Sequence, residues 1–337
     1  MKALVLREPG EVALETVRDA VVSKDDVLLQ VRLVGLCGSD LNSYRGKNPM
    51  VTFPRIPGHE VAATIVESSK THPDLVAGTN VTLSPYTQCG KCPSCLRGRP
   101  NACQFNETLG VQRNGALTEY IAIPAEKLYT ANLSLRELCL VEPLTVGFHA
   151  VARGRVTGED TVAIIGCGGV GLGAVAAAGF RRARTIAIDV DDAKLGIALK
   201  SGATDAINTT REPLHERLQE LTGGRGPDVV IEAIGLPQTF RAAVEEVAFT
   251  GRVVYIGYAK EPVAYETRLF VQKELDILGS RNALPENFRE VIQMLEERRF
   301  PVEEAISHMV PMSDAPGLLK AWSADPAHFS KIMIEVG

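Results

Sequence analysis

Residues 161–171 carry the sequence TVAIIGCGGVG, in which an apolar, β-branched run meets a glycine-rich turn. The turn matches the G-x-G-x-x-G pattern, in which Gly166 permits a tight turn and Gly168 lets the backbone approach a pyrophosphate. Gly171 then allows the following helix to pack against the strand. Alone, this pattern is a weak signal, but here a strand precedes it and a helix follows. The segment therefore predicts the first strand–turn–helix unit of a doubly wound parallel sheet.

The same unit predicts a dinucleotide site. The helix that opens at the turn offers free N–H groups and a positive dipole end to phosphates. Asp189 ends the next predicted strand, 23 residues after Gly166. Its carboxylate can accept both ribose hydroxyls and would repel a 2′-phosphate, so NAD is favoured over NADP. The alternative is an α/β domain that binds no nucleotide. The residues assigned to the cofactor site are Gly166, Gly168, Gly169, Val170, Gly171, Asp189, Gly235 and Gly257.

The chain as a whole shows two different patterns of apolar and polar residues. Residues 146–283 alternate near-continuous apolar strands with helices, which indicates a parallel sheet covered on both faces. Residues 1–145 instead carry short β-branched runs broken by Gly, Pro and Asn, typical of an antiparallel β domain. Residues 284–337 hold a helix and a final strand, and we expect this segment to return to the first domain. The sequence thus predicts an α/β protein of two domains.

A lobe at about residues 86–106 contains four closely spaced cysteines. Two residues separate each of the first three, and seven separate the third from the fourth. Four thiolates at one centre suit a closed, structural Zn²⁺ site, which leaves no open position for chemistry. Two disulfides or an iron–sulfur cluster are the alternatives. The predicted ligands are Cys89, Cys92, Cys95 and Cys103.

A second, scattered group of metal-binding side chains consists of Cys37, His59, Glu60 and Glu142. A soft thiolate, an imidazole and carboxylates form a reasonable zinc set with one position left for water or substrate. Taken singly, each residue has an ordinary explanation, such as a packed cysteine or a His-Glu surface turn. Their presence together with a dinucleotide motif favours a catalytic metal site.

Composition and net charge indicate which kinds of molecule the protein binds. The chain has 337 residues, with 36 Lys and Arg against 41 Asp and Glu, for a net charge of −5. That balance argues against nucleic-acid binding. No apolar run approaches the roughly 20 residues that a membrane helix needs. The first 15 residues lack the apolar core of a signal peptide. We therefore expect a cytoplasmic protein that acts on a small molecule.

The motifs GLCGSD, PGHE, LVEP and GCGGVG, with the four-cysteine lobe, resemble the zinc-dependent medium-chain alcohol dehydrogenases over essentially the whole chain. Glu142 in VEPLTVGFHA resembles the polyol dehydrogenase branch. The stretches SYRGKNPMVTFPRIPGHE and LGSRNALPENFREVIQML are similar to bacterial enzymes that oxidise L-galactonate or L-gulonate at carbon 5. The resemblance implies a Rossmann-type sheet plus a GroES-like β domain, NAD, one catalytic and one structural zinc per subunit, and a homodimer or homotetramer.

The resemblance also implies a mechanism. Zinc on Cys37 and His59 would activate a substrate hydroxyl for hydride transfer to NAD, with Glu60 and Glu142 as further ligands, direct or through water. Ser39 would pass the hydroxyl proton outward. Many relatives continue this relay with a histidine three residues later, where this chain has Asn42, which cannot titrate near neutrality. The relay beyond Ser39 would then need water or a cofactor hydroxyl.

Two residues are predicted to contact substrate. Tyr44 follows the Cys37 loop, and Arg281 falls where polyol enzymes place a substrate-contacting arginine. A guanidinium suits a carboxylate or a row of hydroxyls, although Arg281 could instead form a salt bridge at the domain junction. A free polyol and L-threonine are alternative substrates. A zinc- and nucleotide-binding redox sensor is the alternative that is not an enzyme.

Overall fold

The structure is a computed structural model that describes residues 1–67 and 71–337. The chain divides into two compact units, the first formed by Met1–Glu142 and Val302–Gly337, the second by Pro143–Pro301. The first division falls inside one helix. Within the described residues, no helix combines the length and the apolar character needed to cross a membrane.

The described residues form fifteen strands, eleven α-helices and three short 3-10 helices. The strands β1 to β15 are Lys2–Glu8, Glu11–Thr16, Asp26–Leu36, Glu60–Ile65, Asn80–Leu83, Tyr120–Pro124, Leu128–Thr130, Thr161–Ile165, Arg184–Asp189, Asp205–Asn208, Val229–Glu232, Arg252–Tyr255, Asp276–Gly279, Ile306–Pro311 and Lys331–Glu335. The helices α1 to α11 are Gly38–Tyr44, Pro93–Leu96, Leu135–Arg153, Gly169–Phe180, Asp192–Lys200, Leu214–Thr222, Pro237–Glu246, Arg268–Gln272, Pro285–Glu296, Val302–Ala305 and Ala315–Ala324.

The second unit is built on a six-stranded parallel sheet in the order β10-β9-β8-β11-β12-β13. The predicted doubly wound sheet is thereby confirmed. Its central strands are apolar because helices cover them, and Ala163, Ile186, Val230 and Val253 are fully buried. The glycine-rich turn follows the carboxyl end of β8. This strand is the first of the six in chain order and lies near the centre of the sheet.

The first unit contains a seven-stranded sheet, mostly antiparallel, in the order β14-β15-β3-β4-β5-β7, with β6 paired to β3. A separate hairpin pairs β1 with β2. Leu29, Val61, Val81 and Ile332 bring apolar side chains from four strands into one core. The last strand, β15, pairs antiparallel with β3, so the end of the chain lies in the first unit.

The point of return differs from the predicted residue 284. Residues 284–301, with α9, belong to the second unit, and the return begins at Val302. The amphipathic face of α9 explains the difference, because Phe288, Val291 and Leu295 are buried. Asn287 of this helix also lies 3.1 Å from Nδ1 of His149 in the same unit. The first boundary likewise falls at Glu142 rather than residue 145.

Helix packing in the second unit depends on two close approaches of backbone. A Cβ on Gly147 of α3 would overlap the backbone at Ala174 of α4, and one on Gly173 would come within 2.9 Å of the Leu144 carbonyl oxygen. These helices therefore touch at distances that only glycine permits. In contrast, Gly196 on the exposed part of α5 has no atom within 4 Å of the place where its Cβ would lie.

We expect Gly147→Ala to destabilise the second unit by about 1–3 kcal/mol, since the added methyl group overpacks a rigid helix contact. Gly196→Ala is the matched control and should stabilise by about 0.5–1 kcal/mol, because alanine restricts the unfolded chain and favours helix. Urea unfolding followed by circular dichroism measures both. Equal effects of the two variants would contradict the proposed close packing of α3 and α4.

Candidate active site

The four-cysteine lobe follows β5 and precedes β6, and its Sγ atoms all lie within 4.8 Å of one another. Cys92 is the N-cap of the short helix α2, which turns the chain so that the Sγ atom of Cys95 lies near those of the other three cysteines. The Sγ atoms of Cys92 and Cys103 are 3.8 Å apart. That distance matches the edge of a sulfur tetrahedron around zinc, for which Zn–S is about 2.3 Å. The side chains present therefore fit one tetrahedral ion.

Backbone N–H groups donate hydrogen bonds to two of these thiols. Cys92 N donates to Cys89 Sγ at 3.3 Å, and Phe105 N donates to Cys103 Sγ at 3.3 Å. A hydrogen bond with the Ser94 side chain is the largest influence that lowers the pKa of Cys92, to about 5. All seven cysteines of the chain lie among the described residues and none forms a disulfide. The lobe thus favours the zinc interpretation over two disulfides.

The second metal-binding group forms where β3 ends and β4 begins. Cys37 follows β3 and caps α1, while His59 immediately precedes β4 and Glu60 opens it. Because β3 and β4 are antiparallel neighbours, the end of one strand lies beside the start of the next. Ligand atoms of Cys37, His59 and Glu60 consequently lie within 4.8 Å of one another. Their role as metal ligands remains a prediction.

Asp40 fixes the two loops that carry this group. Its Oδ2 accepts a hydrogen bond from Cys37 N at 2.9 Å, and its Oδ1 accepts one from Gly58 N at 3.2 Å. The side chain is 2% exposed. Sequence reasoning missed this residue, although it stands in the GLCGSD motif three residues after Cys37, the spacing of a capping box.

Glu60 lies in a pocket made by two neighbouring strands. Lys331, the first residue of β15, places Nζ 2.7 Å from Oε1 and 2.6 Å from Oε2 of Glu60. Gly35 of β3 pairs with Glu60 in register, and a Cβ there would overlap the Glu60 carboxylate. Both partners escaped the sequence analysis. The only local signal was a lone lysine at the start of an apolar strand.

Glu142 is held by a different partner. The hydroxyl of Tyr86 donates to Oε1 of Glu142, and both side chains are buried. Glu142 lies outside the group of ligand atoms within 4.8 Å, yet its charge contributes to raising the pKa of His59. Tyr86 was also missed, and only its place just before the four-cysteine segment could have marked it.

The electrostatics of this cluster favour a cation. Burial lowers the pKa of His59, but Asp40, Cys37 and Glu142 together raise it well above its ordinary value. Burial also raises the pKa of Glu142. The Nδ1 atom of His59 is buried without a hydrogen-bond partner in the described part of the chain. Surplus negative charge and an open imidazole nitrogen fit a divalent metal ion.

Two predicted site residues, Ser39 and Tyr44, lie on α1. Ser39 Oγ is buried and has no hydrogen-bond partner among residues 1–67 and 71–337, so it is available to a ligand. Its role in proton transfer remains a prediction, as does the effect of Asn42. Tyr44 is 7% exposed and packs against the hydrophobic core of the first unit, and its contact with substrate remains a prediction. Leu41 and Tyr44 share the buried face of α1.

In the second unit the glycine-rich turn has the backbone that a phosphate site needs. Gly166 has φ +98°, and a Cβ on Gly171 would overlap the Gly166 carbonyl oxygen. Gly168 has open space where a Cβ would lie. Gly169 and Val170 open α4, so its first N–H groups face the turn. The role of these residues in binding a cofactor remains a prediction.

Asp189 ends β9, and its Oδ2 accepts a hydrogen bond from Cys167 N at 2.7 Å. This bond joins the acidic residue to the glycine-rich turn. Large apolar side chains that stay exposed follow the carboxyl ends of three strands; they are Val190, Ile234, Leu236 and Tyr258. Exposed apolar side chains around a polar turn are typical of a site that binds the flat ring systems of a ligand.

The remaining predicted residues also lie after parallel strands. Gly235 follows β11 with φ +88°, and Gly257 follows β12. A Cβ on Gly257 would lie 2.5 Å from Gly235 N, so the two turns touch. Arg281 is exposed after β13. Its contact with substrate remains a prediction.

Two family profiles match the chain. The profile of zinc-binding dehydrogenases matches residues 169–297, and that of the GroES-like domain of alcohol dehydrogenases matches residues 23–132. The first range lies in the parallel-sheet unit and the second in the antiparallel one. The GroES-like character predicted for the first domain is therefore confirmed.

Similar proteins support the same assignment. An uncharacterised zinc-type alcohol dehydrogenase-like protein of Haemophilus influenzae is 35% identical over 335 residues, 98% of each chain. The L-galactonate-5-dehydrogenase of Escherichia coli is 28% identical over 93% of this chain and 92% of its own. The crystal structure of a short chain alcohol dehydrogenase of Escherichia coli CFT073, complexed with NADH, has a TM-score of 0.91 and 28% identity, covering 100% of this chain and 99% of that chain.

We expect Cys103→Ser to remove one of two zinc ions per chain and to lower the melting temperature, since three thiolates cannot close the tetrahedron. Plasma mass spectrometry measures the metal content. Cys167→Ser, at a buried thiol outside both metal-binding groups, is the control and should retain both ions. Full zinc content in Cys103→Ser would contradict the four-cysteine site.

We expect Lys331→Met to destabilise the first unit by about 3–5 kcal/mol, because it leaves the buried Glu60 carboxylate without its cation. Arg7→Met removes a pair with Glu15 in which the arginine side chain is 56% exposed, and should cost at most about 1 kcal/mol. Chemical unfolding compares the two variants. A loss in Lys331→Met no larger than in Arg7→Met would show that the buried pair is not needed.

Proposed function

Since the chain belongs to the zinc-binding alcohol dehydrogenases, we propose that it transfers a hydride from a secondary alcohol of a polyol or sugar acid to NAD. The substrate we favour is L-galactonate or L-gulonate, oxidised at carbon 5. The proposal includes two zinc ions per subunit, a homodimer or homotetramer, and a cytoplasmic location. The group formed by Cys37, His59 and Glu60 is the observation that carries it.

The residues of this group can perform the chemistry. Zinc supplies a Lewis acid that polarises a hydroxyl oxygen and lowers its pKa. Cys37 and His59 would hold the ion, and Asp40 keeps their two loops together. Ser39 Oγ, which has no partner among the described residues, would accept the hydroxyl proton and pass it outward. Lys331 neutralises Glu60, so only part of the acidic charge is left for the metal.

The choice of NAD is supported by the acidic residue at the end of β9. Asp189 is 9% exposed and adjoins the glycine-rich turn. A fixed carboxylate there can accept ribose hydroxyls and repels a 2′-phosphate. The similar protein of known structure that holds NADH is consistent with this choice.

The choice of a sugar acid is supported by the similarity to L-galactonate-5-dehydrogenase and by Arg281, whose guanidinium suits a carboxylate. A free polyol and L-threonine would use the same metal chemistry and differ only in the pocket. A redox sensor without catalysis would not need an open metal position, and Cys37, His59 and Glu142 are all present.

A substrate panel tests the proposal. The purified protein is given NAD with L-galactonate, L-gulonate, sorbitol, xylitol or L-threonine, and the absorbance of NADH is followed with and without a chelator. We expect turnover of an aldonate that is lost on chelation. Turnover of free polyols alone would refute the sugar-acid substrate, and no turnover of any secondary alcohol would favour the sensor.

A variant separates the metal site from cofactor binding. We expect Cys37→Ser to reduce turnover by at least about a hundredfold, in the range by which loss of electrostatic stabilisation slows enzymes. NADH binding, measured by fluorescence, should be unchanged because the cofactor residues lie in the second unit. Turnover at the wild-type rate would exclude Cys37 as a ligand of a catalytic ion.

A further inference from the structure

Glu232 is a buried acidic residue at the centre of the parallel sheet. It is the last residue of β11 and is in register with Ile165 of β8 and Tyr255 of β12. Its side chain is 0% exposed. The carboxylate therefore lies where three adjacent strands end, at the edge of the sheet where α/β proteins bind their ligands.

One carboxylate oxygen of Glu232 holds the turn that follows β11. Its Oε1 accepts hydrogen bonds from Ile234 N at 2.9 Å, from Gly235 N at 2.7 Å and from Thr239 Oγ1 at 2.7 Å. These three donors lie before and within the first turn of α7. A single acceptor thus determines the path of residues 233–235.

The main chain of Glu232 holds a second turn. Its carbonyl oxygen accepts hydrogen bonds from Ile256 N at 2.9 Å and from Gly257 N at 3.2 Å, just after β12. Gly257 packs so closely that a Cβ there would lie 2.5 Å from Glu232 Oε2 and 2.5 Å from Gly235 N. The two turns are therefore coupled to each other through this residue.

These turns also touch the glycine-rich turn. A Cβ on Gly166 would lie 2.5 Å from Cγ1 of Ile234, so the Ile234 side chain covers Gly166 directly. Ile234 nevertheless remains 45% exposed, which leaves one side of it open to a ligand. Since Glu232 binds the backbone of Ile234, it controls where that apolar surface lies beside the predicted pyrophosphate site.

The second oxygen of Glu232 takes no part in holding the turn. Oε2 is buried and has no hydrogen-bond partner within the described ranges 1–67 and 71–337. Nor does any lysine, arginine or histidine of those ranges form an ion pair with it. The turn is therefore held by a single oxygen acceptor, and a neutral amide oxygen at the same place could accept the same hydrogen bonds.

We propose that Glu232 is a positioning residue of the dinucleotide site, which keeps the turns at 233–235 and 256–257 in the conformation that receives the cofactor. This inference rests on the proposed use of NAD. It assigns no proton or hydride transfer to Glu232. Glu232 raises the fraction of molecules whose two turns are in the binding-competent conformation. It thereby raises the affinity of the protein for the dinucleotide.

The test is a fluorescence titration of the full-length, zinc-loaded protein with NADH, without substrate. We expect Glu232→Ala to raise the dissociation constant about tenfold, as it would if a tenth of the molecules kept the binding-competent turn. Glu232→Gln should stay within about threefold of wild type, because its amide oxygen can accept the same hydrogen bonds. Zinc content should not change in either variant.

Asp228 provides a matched control at the opposite end of the same strand. It immediately precedes β11, and its Oδ2 accepts a hydrogen bond from Thr161 N at 2.7 Å. Asp228→Ala removes a carboxylate that binds backbone, as Glu232→Ala does, and should lower the melting temperature. Because it lies away from the turns, NADH affinity should remain within about twofold of wild type.

The outcomes separate this inference from the proposed function. Wild-type affinity in Glu232→Ala, an equal loss in Asp228→Ala, or a loss in Glu232→Gln as large as in Glu232→Ala would each overturn the positioning role. Failure of the wild-type protein to bind NADH would instead refute the proposed cofactor. Tenfold weaker binding in Glu232→Ala with near-normal binding in both other variants supports the inference.

Discussion

The burial of several acidic groups in one small volume is the constraint on which the first unit depends. Asp40, Glu60 and Glu142 are buried near one another, beside the half-buried Cys37, and uncompensated negative charge is unfavourable there. One lysine, one tyrosine hydroxyl and backbone N–H groups compensate part of this negative charge. What remains is a surplus that a divalent cation would balance. The metal site is thus prepared by its surroundings as much as by its ligands.

In the second unit, acidic side chains also accept hydrogen bonds from backbone N–H groups of turns. Asp189 and Glu232 each end a parallel strand and hold the backbone of a neighbouring turn. Glycines at the same edge remove the side chains that would block a close approach. The carboxyl edge of the sheet therefore combines backbone donors, fixed acceptors and exposed apolar side chains, which suits a ligand with phosphates, hydroxyls and rings.

Patterns that are local in sequence were predictable. The four cysteines and the glycine-rich turn each act over about 15 residues or fewer, so spacing alone identifies them. Residues whose role depends on distant partners were not. Lys331 meets Glu60 across 271 positions, and Tyr86 meets Glu142 across 56.

The sequence by itself determined the two fold classes, the four-cysteine motif and the dinucleotide turn. Each follows from periodicity or from side-chain chemistry at short spacing. Only the tertiary structure decided which groups share a site, where the second unit ends, and which acceptors hold the cofactor turns. The physical reason is strand pairing, since register brings Lys331, Gly35 and Glu60 together and aligns Glu232 with Ile165.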